Sequence, residues 1–397
     1  MCRSTILRTG FLACLALAAG CDQTEPQPDP TAVLGATLQE IVDNAVAGSE
    51  TIPAAALYVD APRLGVVWEG AAGVADPATG EPMTAAHPVL VASNTKTFIA
   101  ASILRLWEDG RIGLDDPIAD HLPQEYVELL ESDGYLVDEI TIRHLLTHTS
   151  GLYDYADRSI YPQMILDDPT HRWTRTEQLE AAVAWGDPLG APGEIYNYSD
   201  TGYILLGAIL ETTTGLSMPD AVRELVGYER IGLDSTWFET LEPRPSGVPE
   251  LAHQFFGDAD SATIDPSSDL YGGGGIAAPV GDLGRFMRAL FTGGVYTNPE
   301  TTETMLTTVD TVKMSASGEA SGMPPGMYRM GVWVMEVEGY TVYRHSGFWG
   351  TVADYVPELD LVVAATVNQN QEKTRLWDVV GETIAAVADV CDLSRPN

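Results

Sequence analysis

Apolar residues recur every three or four positions along several segments, which is the spacing of one face of an α-helix. In the segment 95–108, for example, Ile99, Ile103 and Leu106 share a face, and Gly110 follows the end of the pattern. A first helix is predicted around 38–46. The same spacing predicts further helices at 140–148, 178–185, 203–213, 219–226, 282–291 and 376–387.

Other segments have the length and the bounding turn residues of β-strands. Two of them lie near the start of the chain and four near its end, at 54–60, 64–70, 329–337, 340–344, 351–356 and 361–367. Their short connections favour antiparallel pairing. Strands at both ends with helices between them predict an α/β fold. Both chain ends would form one antiparallel sheet flanked by helices, with a mostly helical lobe inserted at roughly 111–270 and a cleft between the two.

The first twenty residues have the layout of a bacterial lipoprotein signal. Arg3 and Arg8 precede a short apolar stretch, and small residues then precede Cys21. We therefore expect an acyl group on Cys21 that anchors the protein to a membrane of the cell envelope, facing the periplasm or the exterior. The predicted division is a signal at 1–20, a polar tether at 21–34 and one folded domain at 35–397. An ordinary secretory signal that contains a cysteine is the alternative.

The chain carries 57 acidic and 21 basic residues, which gives a formal net charge of −36. Loss of the signal would remove two arginines and no acid, and would move the charge to −38. Such a charge repels phosphates, so nucleic acid is not expected as a partner. Only Cys391 would then remain as a thiol beside an acylated Cys21. A disulfide framework is not expected, and Cys391 is predicted to pack as a small apolar residue.

Ser93 and Lys96 are three residues apart at the start of a predicted helix, which puts both side chains on one face. A serine hydroxyl becomes a nucleophile when a neighbouring base takes its proton, and a desolvated lysine is able to do this. The helix N-terminus also offers free N–H groups to negative charge. Taken alone, the pair is weak evidence for catalysis, because Ser-x-x-Lys is a common spacing and the serine could simply cap the helix.

Two further motifs follow this pair. Tyr198-Ser199-Asp200 comes about a hundred residues later, and His345-Ser346-Gly347 lies on a strand near the end. Together with Ser93-Asn94-Thr95-Lys96, they make the chain resemble the serine β-lactamase and penicillin-binding-protein superfamily. The likeness is to its branch of class C β-lactamases, D-alanyl-D-alanine carboxypeptidases and esterases, and it runs from about residue 35 to about residue 370. It implies a β-lactamase/transpeptidase-like fold.

The resemblance also implies roles for single residues. Ser93 would attack a carbonyl carbon and become acylated, while Lys96 would accept or relay its proton. Tyr198 would assist as a second base and return a proton to the leaving group. The oxyanion would be bound by the backbone N–H groups of Ser93 and Phe348, at roughly 3 kcal/mol for each well-aimed donor.

The strand motif would border the cleft. His345 is expected to line it and to be able to contact a substrate carboxylate, with Ser346 beside it. Gly347 suits a place where a substrate backbone must approach closely. Tyr196 competes with Tyr198 for the place of the family's tyrosine, and Tyr198 is preferred because an acidic residue follows it two positions later.

Asp200 stands where the family usually has asparagine. A carboxylate only accepts hydrogen bonds, and next to Lys96 it would favour the charged lysine and weaken it as a base. Asp200 could instead cap a helix that begins near Thr201, and the two duties are compatible. The departure puts β-lactam hydrolysis in doubt more than acyl transfer.

The predicted function is therefore that of an acyl-serine hydrolase acting on a small-molecule or peptide substrate, in the first place a D-alanyl-D-alanine carboxypeptidase-like peptidase. A β-lactamase or carboxylesterase of the same fold, and a non-catalytic penicillin-binding sensor, are the alternatives. His144 and His148 have the spacing of two metal ligands on a helix, but no Glu stands where a zinc motif needs it, so packing is the preferred interpretation. No cofactor or metal is expected.

Overall fold

The computed structural model of the protein describes residues 30–156, 160–309, 313–314 and 327–393. The predicted signal and Cys21 lie outside these ranges. Helix α1, Pro30–Ala47, starts inside the segment that we assigned to the tether, and Leu34 on this helix is already buried against the sheet. None of the helices in the described ranges is long and apolar enough to cross a membrane.

The strands form the antiparallel sheet that the sequence predicts. They are β1 (Ala54–Ala61), β2 (Val66–Asp76), β3 (Glu81–Pro82), β4 (Val89–Leu90), β5 (Ile195–Tyr196), β6 (Trp237–Phe238), β7 (Phe255–Phe256), β8 (Ala259–Asp260), β9 (Ile276–Ala278), β10 (Lys313–Met314), β11 (Trp333–Val337), β12 (Tyr340–Gly347), β13 (Thr351–Val356) and β14 (Leu361–Val367). Seven of them form the main sheet in the order β11-β12-β13-β14-β1-β2-β3. The two chain ends meet at its centre, where β1 pairs with β14.

Helices cover both faces of this sheet and fill the middle of the chain. They are α1, α2 (Thr95–Glu108), α3 (Gln124–Ser132), α4 (Ile142–Leu146), α5 (Tyr161–Asp167), α6 (Arg175–Trp185), α7 (Asp200–Thr214), α8 (Met218–Val226), α9 (Tyr228–Ile231), α10 (Val280–Phe291), α11 (Pro299–Met305) and α12 (Lys373–Leu393). Strands β1, β13 and β14 are buried along their whole length because both of their faces are covered.

Two apolar cores lie on opposite faces of the sheet. The first joins α1 and α12 to the sheet, and Cys391 packs against its edge as predicted. The second lies on the other face, where α2 and α10 pack together with the helices of the middle segment. Helices α3 to α9 all belong to the predicted helical lobe. A small sheet in the order β4-β9-β6 links this lobe to the segment that precedes α2.

Local signals explain where the central helix α7 begins and ends. The Ser199 side chain accepts a hydrogen bond from the Gly202 N–H and caps the N-terminus, and Gly215 ends the helix in a left-handed conformation with φ of 74°. The capping role that Asp200 could have had therefore belongs to Ser199. Asp200 is the first residue of the helix, and its carboxylate takes no part in capping the helix.

Candidate active site

Ser93 lies in a 3₁₀ turn, Ala92–Asn94, that runs directly into α2. The Lys96 Nζ donates a hydrogen bond of 3.0 Å to the Ser93 Oγ, as their spacing predicts. Asn94, not Ser93, occupies the N-cap position of α2, so the structure does not support the capping interpretation of Ser93. Ala92 has a left-handed φ of 48°, which is uncommon for a residue with a side chain and places backbone strain next to the serine.

Hydrogen bonds hold this turn against the central sheet. The Asn94 Nδ2 donates to the Val91 carbonyl at 3.0 Å and to the Thr351 Oγ1 at 2.9 Å. The Thr351 hydroxyl in turn donates to the Val91 carbonyl at 3.0 Å. Gly347 at the end of β12 packs so closely on the same carbonyl that a Cβ atom there would collide with it. The last residues of β12 are thereby fixed next to the segment that carries Ser93.

Lys96 is completely buried, and each of its neighbours is polar. Its ammonium group forms an ion pair with Asp200 and donates a hydrogen bond of 2.6 Å to the Gly273 carbonyl. Burial acts to lower the pKa of Lys96, but the negative groups around it, Asp200 first, raise the pKa above its ordinary value. The lysine is therefore an ammonium ion in the resting site.

Tyr198 completes the group around Ser93, because the Lys96 Nζ lies 5.0 Å from the centre of its ring and its hydroxyl is close enough to Ser93 and Lys96 for both to act on its pKa. Burial raises the pKa of Tyr198 to about 12, although Lys96 opposes the shift. The competing residue Tyr196 lies on β5 in a small aromatic cluster with Trp333 and Tyr328. The structure thus brings Ser93, Lys96 and Tyr198 together.

The imidazole ring of His148 packs against the ring of Tyr198. Its ring centroid lies 4.2 Å from that of Tyr198, and its Nδ1 accepts a hydrogen bond of 3.1 Å from the Ser199 N–H. This acceptor role leaves the ring proton on Nε2 and keeps the imidazole neutral. Helix α4 ends at Leu146, two residues before His148, so the predicted helix 140–148 is too long and His144 and His148 do not share a helix face. The histidines are packing and capping residues here.

Two further acids, both partly buried, stand close to Asp200. The Asp154 Oδ1 accepts a hydrogen bond of 2.9 Å from the Asp200 N–H. Burial, and then the charge of Asp200, raise the pKa of Asp154 to about 8. The same two causes, partly offset by Lys96, raise the pKa of Asp269 to about 7. The site therefore contains three carboxyl groups and one ammonium group.

The strand motif lies at the end of β12, but His345 does not line the cleft. Its side chain is buried, its Nε2 is 3.2 Å from the Tyr328 hydroxyl, and its Nδ1 is 3.0 Å from the Ser346 carbonyl. Burial, with a smaller contribution from Lys96, lowers the pKa of His345 to about 3. A buried neutral imidazole has no positive charge to offer a substrate carboxylate. Phe348, which follows the motif, exposes 41% of its surface.

The sequence profile of a protein family described as Beta-lactamase matches residues 38–382 of the chain. The chain belongs to the β-lactamase family. Among its relatives, esterase EstB of Burkholderia gladioli is 32% identical over 234 residues, which are 56% of this chain and 57% of that protein. Penicillin-binding protein 4* of Bacillus subtilis (strain 168) is 27% identical over 216 residues, 51% of this chain and 44% of that protein. The chain thus spans about half the length of these two relatives.

Solved structures share the fold of this β-lactamase-family protein over nearly its whole length. A D-stereospecific amidohydrolase from Streptomyces sp. has a TM-score of 0.69 at 26% identity, covering 86% of this chain and 97% of that one. The D-amino acid amidase from Ochrobactrum anthropi SV3, complexed with D-phenylalanine, has a TM-score of 0.74 at 23% identity, covering 91% and 100%. The relatives include an esterase, a penicillin-binding protein and amidohydrolases, so the comparisons do not single out one substrate.

Several residues of this β-lactamase-family site were not predicted from the sequence. The partly buried acids Asp154 and Asp269 belong to none of the three motifs, and His148 was noted only as a possible metal ligand. The motifs also did not indicate that the Gly273 carbonyl accepts a hydrogen bond from Lys96. A Cβ atom at position 273 would make a tight contact of 3.3 Å with the Asp200 side chain.

Proposed function

We propose that the protein is a hydrolase that forms an acyl-enzyme on Ser93 and cleaves ester, amide or peptide bonds. The observation that supports this most directly is the contact of one serine hydroxyl with two groups able to carry its proton. Lys96 donates to the Ser93 Oγ, and Tyr198 lies beside both, with the Lys96 Nζ 5.0 Å from the centre of its ring. A serine used only for packing or capping needs no such pair.

The protonation of the resting site sets a condition on catalysis. Lys96 is an ammonium ion and Tyr198 is a neutral phenol, so the pair must lose one proton before it can accept another. In the active form the Ser93 Oγ bonds to the carbonyl carbon while its proton passes to the pair. The pair then gives this proton to the leaving group as the carbon–leaving-group bond breaks. Water repeats the sequence on the acyl-enzyme and releases the acid.

We assign the oxyanion site to the backbone N–H groups of Ser93 and Phe348. Support comes from the packing of Gly347 on the Val91 carbonyl, which holds the residue before Phe348 against the serine-bearing segment. Losing one donor of such a site costs about 3–4 kcal/mol of transition-state stabilisation.

The charges favour substrates without a free carboxylate near the scissile bond. Asp200 offsets the charge of Lys96, Asp269 adds negative charge when it is ionised, and His345 stays neutral. D-alanyl-D-alanine peptides and β-lactams both carry a carboxylate that such a site would repel. This supports esterase or amidase action ahead of the carboxypeptidase and β-lactamase activities that the motifs alone would allow.

Covalent labelling with a fluorescent fluorophosphonate, followed by peptide mapping, tests the proposal. We expect the probe on Ser93, and loss of both labelling and p-nitrophenyl butyrate hydrolysis in Ser93→Ala, by at least about 10³-fold for a residue on which the chemistry depends. Ser132→Ala, which changes an exposed serine on α3, should label and hydrolyse like the wild type. Hydrolysis that persists in Ser93→Ala would refute the mechanism, and reversible binding without turnover would favour the sensor alternative.

A further inference from the structure

Tyr198 lies in a short segment that belongs to neither a helix nor a strand. Strand β5 ends at Tyr196 and helix α7 begins at Asp200, so residues 197–199 between them take part in no regular backbone ladder. A phenol that exchanges protons with its neighbours must nevertheless be held within a fraction of an ångström, because a small misplacement of a reacting group costs a large factor in rate. Another part of the chain must therefore fix this segment.

His148 gives this segment two hydrogen-bond acceptors, one on each side of Tyr198. The His148 carbonyl oxygen accepts a hydrogen bond of 2.9 Å from the Asn197 N–H. The His148 Nδ1 accepts a hydrogen bond of 3.1 Å from the Ser199 N–H. The imidazole ring packs on the ring of Tyr198 itself, with 4.2 Å between the two centroids. A single residue thus contacts the backbone before the tyrosine, the backbone after it and the tyrosine ring.

Other aromatic rings keep the imidazole of His148 in place. The residue is 1% exposed, and its ring centroid lies 4.5 Å from that of Tyr328 and 5.0 Å from that of Tyr203. The Tyr203 hydroxyl donates a hydrogen bond of 3.0 Å to the carbonyl of Leu146, two residues before His148. Because a close-packed interior resists the movement of single side chains, a ring enclosed in this way holds its Nδ1 at one position.

The backbone of His148 is strained. Its φ of 59° lies in the left-handed region, which is uncommon for a residue with a side chain. Strain of this kind persists where the surrounding structure enforces it, and it is concentrated at functional sites. A side chain that only fills the core needs neither an acceptor atom nor such a backbone, so packing alone does not account for a histidine at this position.

We propose that His148 is a positioning residue for Tyr198, which it holds at the place where the phenol can exchange a proton with Ser93 and Lys96. The inference rests on the proposed acyl-serine function and adds to it a residue outside the three motifs. His148 transfers no proton itself. Its Nδ1 is occupied by the Ser199 N–H, and its Nε2 forms no hydrogen bond with any residue that the structure describes.

The first test compares two substitutions by their kcat and KM for p-nitrophenyl butyrate. His148→Leu fills the space but removes the acceptor, and it should lower kcat by about 10- to 100-fold with little change in KM, because the phenol is misplaced while the substrate still binds. His148→Asn should restore most of the activity, since its amide oxygen can accept from the Ser199 N–H and asparagine tolerates a left-handed φ. If His148→Leu does not fold, His148→Gln replaces it, because its amide stands at the position of Nε2 instead of Nδ1.

His144→Leu is the matched control. Its Nδ1 also accepts a backbone hydrogen bond, of 3.1 Å from the Thr141 N–H, but this bond caps helix α4. We expect this variant to be less stable and to keep the kcat of the wild type while it is folded. A similar loss of kcat in His144→Leu, or an Asn variant at position 148 that is as impaired as the Leu variant, would overturn the positioning role.

A double-mutant cycle shows whether His148 acts through Tyr198. In a Tyr198→Phe background, His148→Leu should lower kcat hardly further, because the hydroxyl that it misplaces is already absent. Losses that multiply in the double variant would refute this route. If Ser93→Ala stays active, or Tyr198→Phe is as active as the wild type, the proposed function fails and the positioning role fails with it. If both of these variants are impaired and His148→Leu keeps the kcat of the wild type, only the positioning role fails.

Discussion

Asp200 places a negative charge against the lysine that contacts Ser93, where the family usually has asparagine. The ion pair keeps Lys96 protonated, and the same charge helps to raise the pKa values of Tyr198, Asp154 and Asp269. If the Lys96–Tyr198 pair must lose a proton before Ser93 can react, Asp200 sets the pH at which activity begins.

We therefore expect Asp200→Asn to move the rising limb of the kcat/KM–pH profile to lower pH. The reason is that the pKa values of Lys96 and Tyr198 both fall when the neighbouring carboxylate is replaced by an amide. A charge at this distance shifts a pKa by about one to three pH units. The measurement is p-nitrophenyl butyrate hydrolysis across the pH range, with Asp258→Asn as a charge-matched control. A limb that stays in place, or moves to higher pH, would contradict the assignment.

The central sheet lies between the core formed by α1 and α12 and the face that carries Ser93. Leu38 on α1 is fully buried in the core that α1 and α12 form on one face of the sheet, whereas Ser93 belongs to the other face. Leu38→Ala should lower the free energy of unfolding by about 2–5 kcal/mol and leave the labelling of folded protein unchanged. Leu136→Ala, at a position 49% exposed, should cost less than about 0.5 kcal/mol.

Denaturant unfolding of the two variants tests this prediction. Fluorophosphonate labelling is measured at denaturant concentrations at which the variants are still folded. A slow or incomplete labelling of folded Leu38→Ala would mean that the two faces of the sheet are coupled. Equal destabilisation by both substitutions would mean that α1 contributes little to the core.

Most elements could be predicted because a helix or strand with one buried face keeps a regular spacing of apolar residues along the sequence. Helix α2 and the strands β13 and β14 have the bounds that their patterns indicated. Short elements were missed, since β4, β6 and β9 have too few residues to show a period. At the site, Lys96 was found from its spacing to Ser93. Asp269 could not be found, because its proximity to Lys96 and Asp200 arises only when distant segments fold together.

The whole molecule carries far more acids than bases, and basic residues such as Arg288 and Arg344 are engaged in ion pairs. The remaining acids repel one another, which opposes the compact state. We expect the Tm to rise as NaCl increases from about 0.01 M to about 0.3 M, because the Debye length falls from about 30 Å to below 10 Å over this range. Choline chloride at the same concentrations separates screening from specific sodium binding. A Tm that is constant or falls in both salts would contradict the expectation.

The pairing of β1 with β14 has a consequence for how the protein is made. Ala55 and Val367 are partners in adjacent strands although more than three hundred positions separate them. The ribosome releases β1, the serine-bearing turn and the helical lobe long before the partner strand exists, so the centre of the sheet is the last part to be closed. A topology with such distant partners folds slowly and leaves strand edges open in the meantime. Synthesis that stops before β14 therefore yields a chain that holds Ser93, Lys96 and Tyr198 but lacks the central strand pairing of the sheet against which they are fixed.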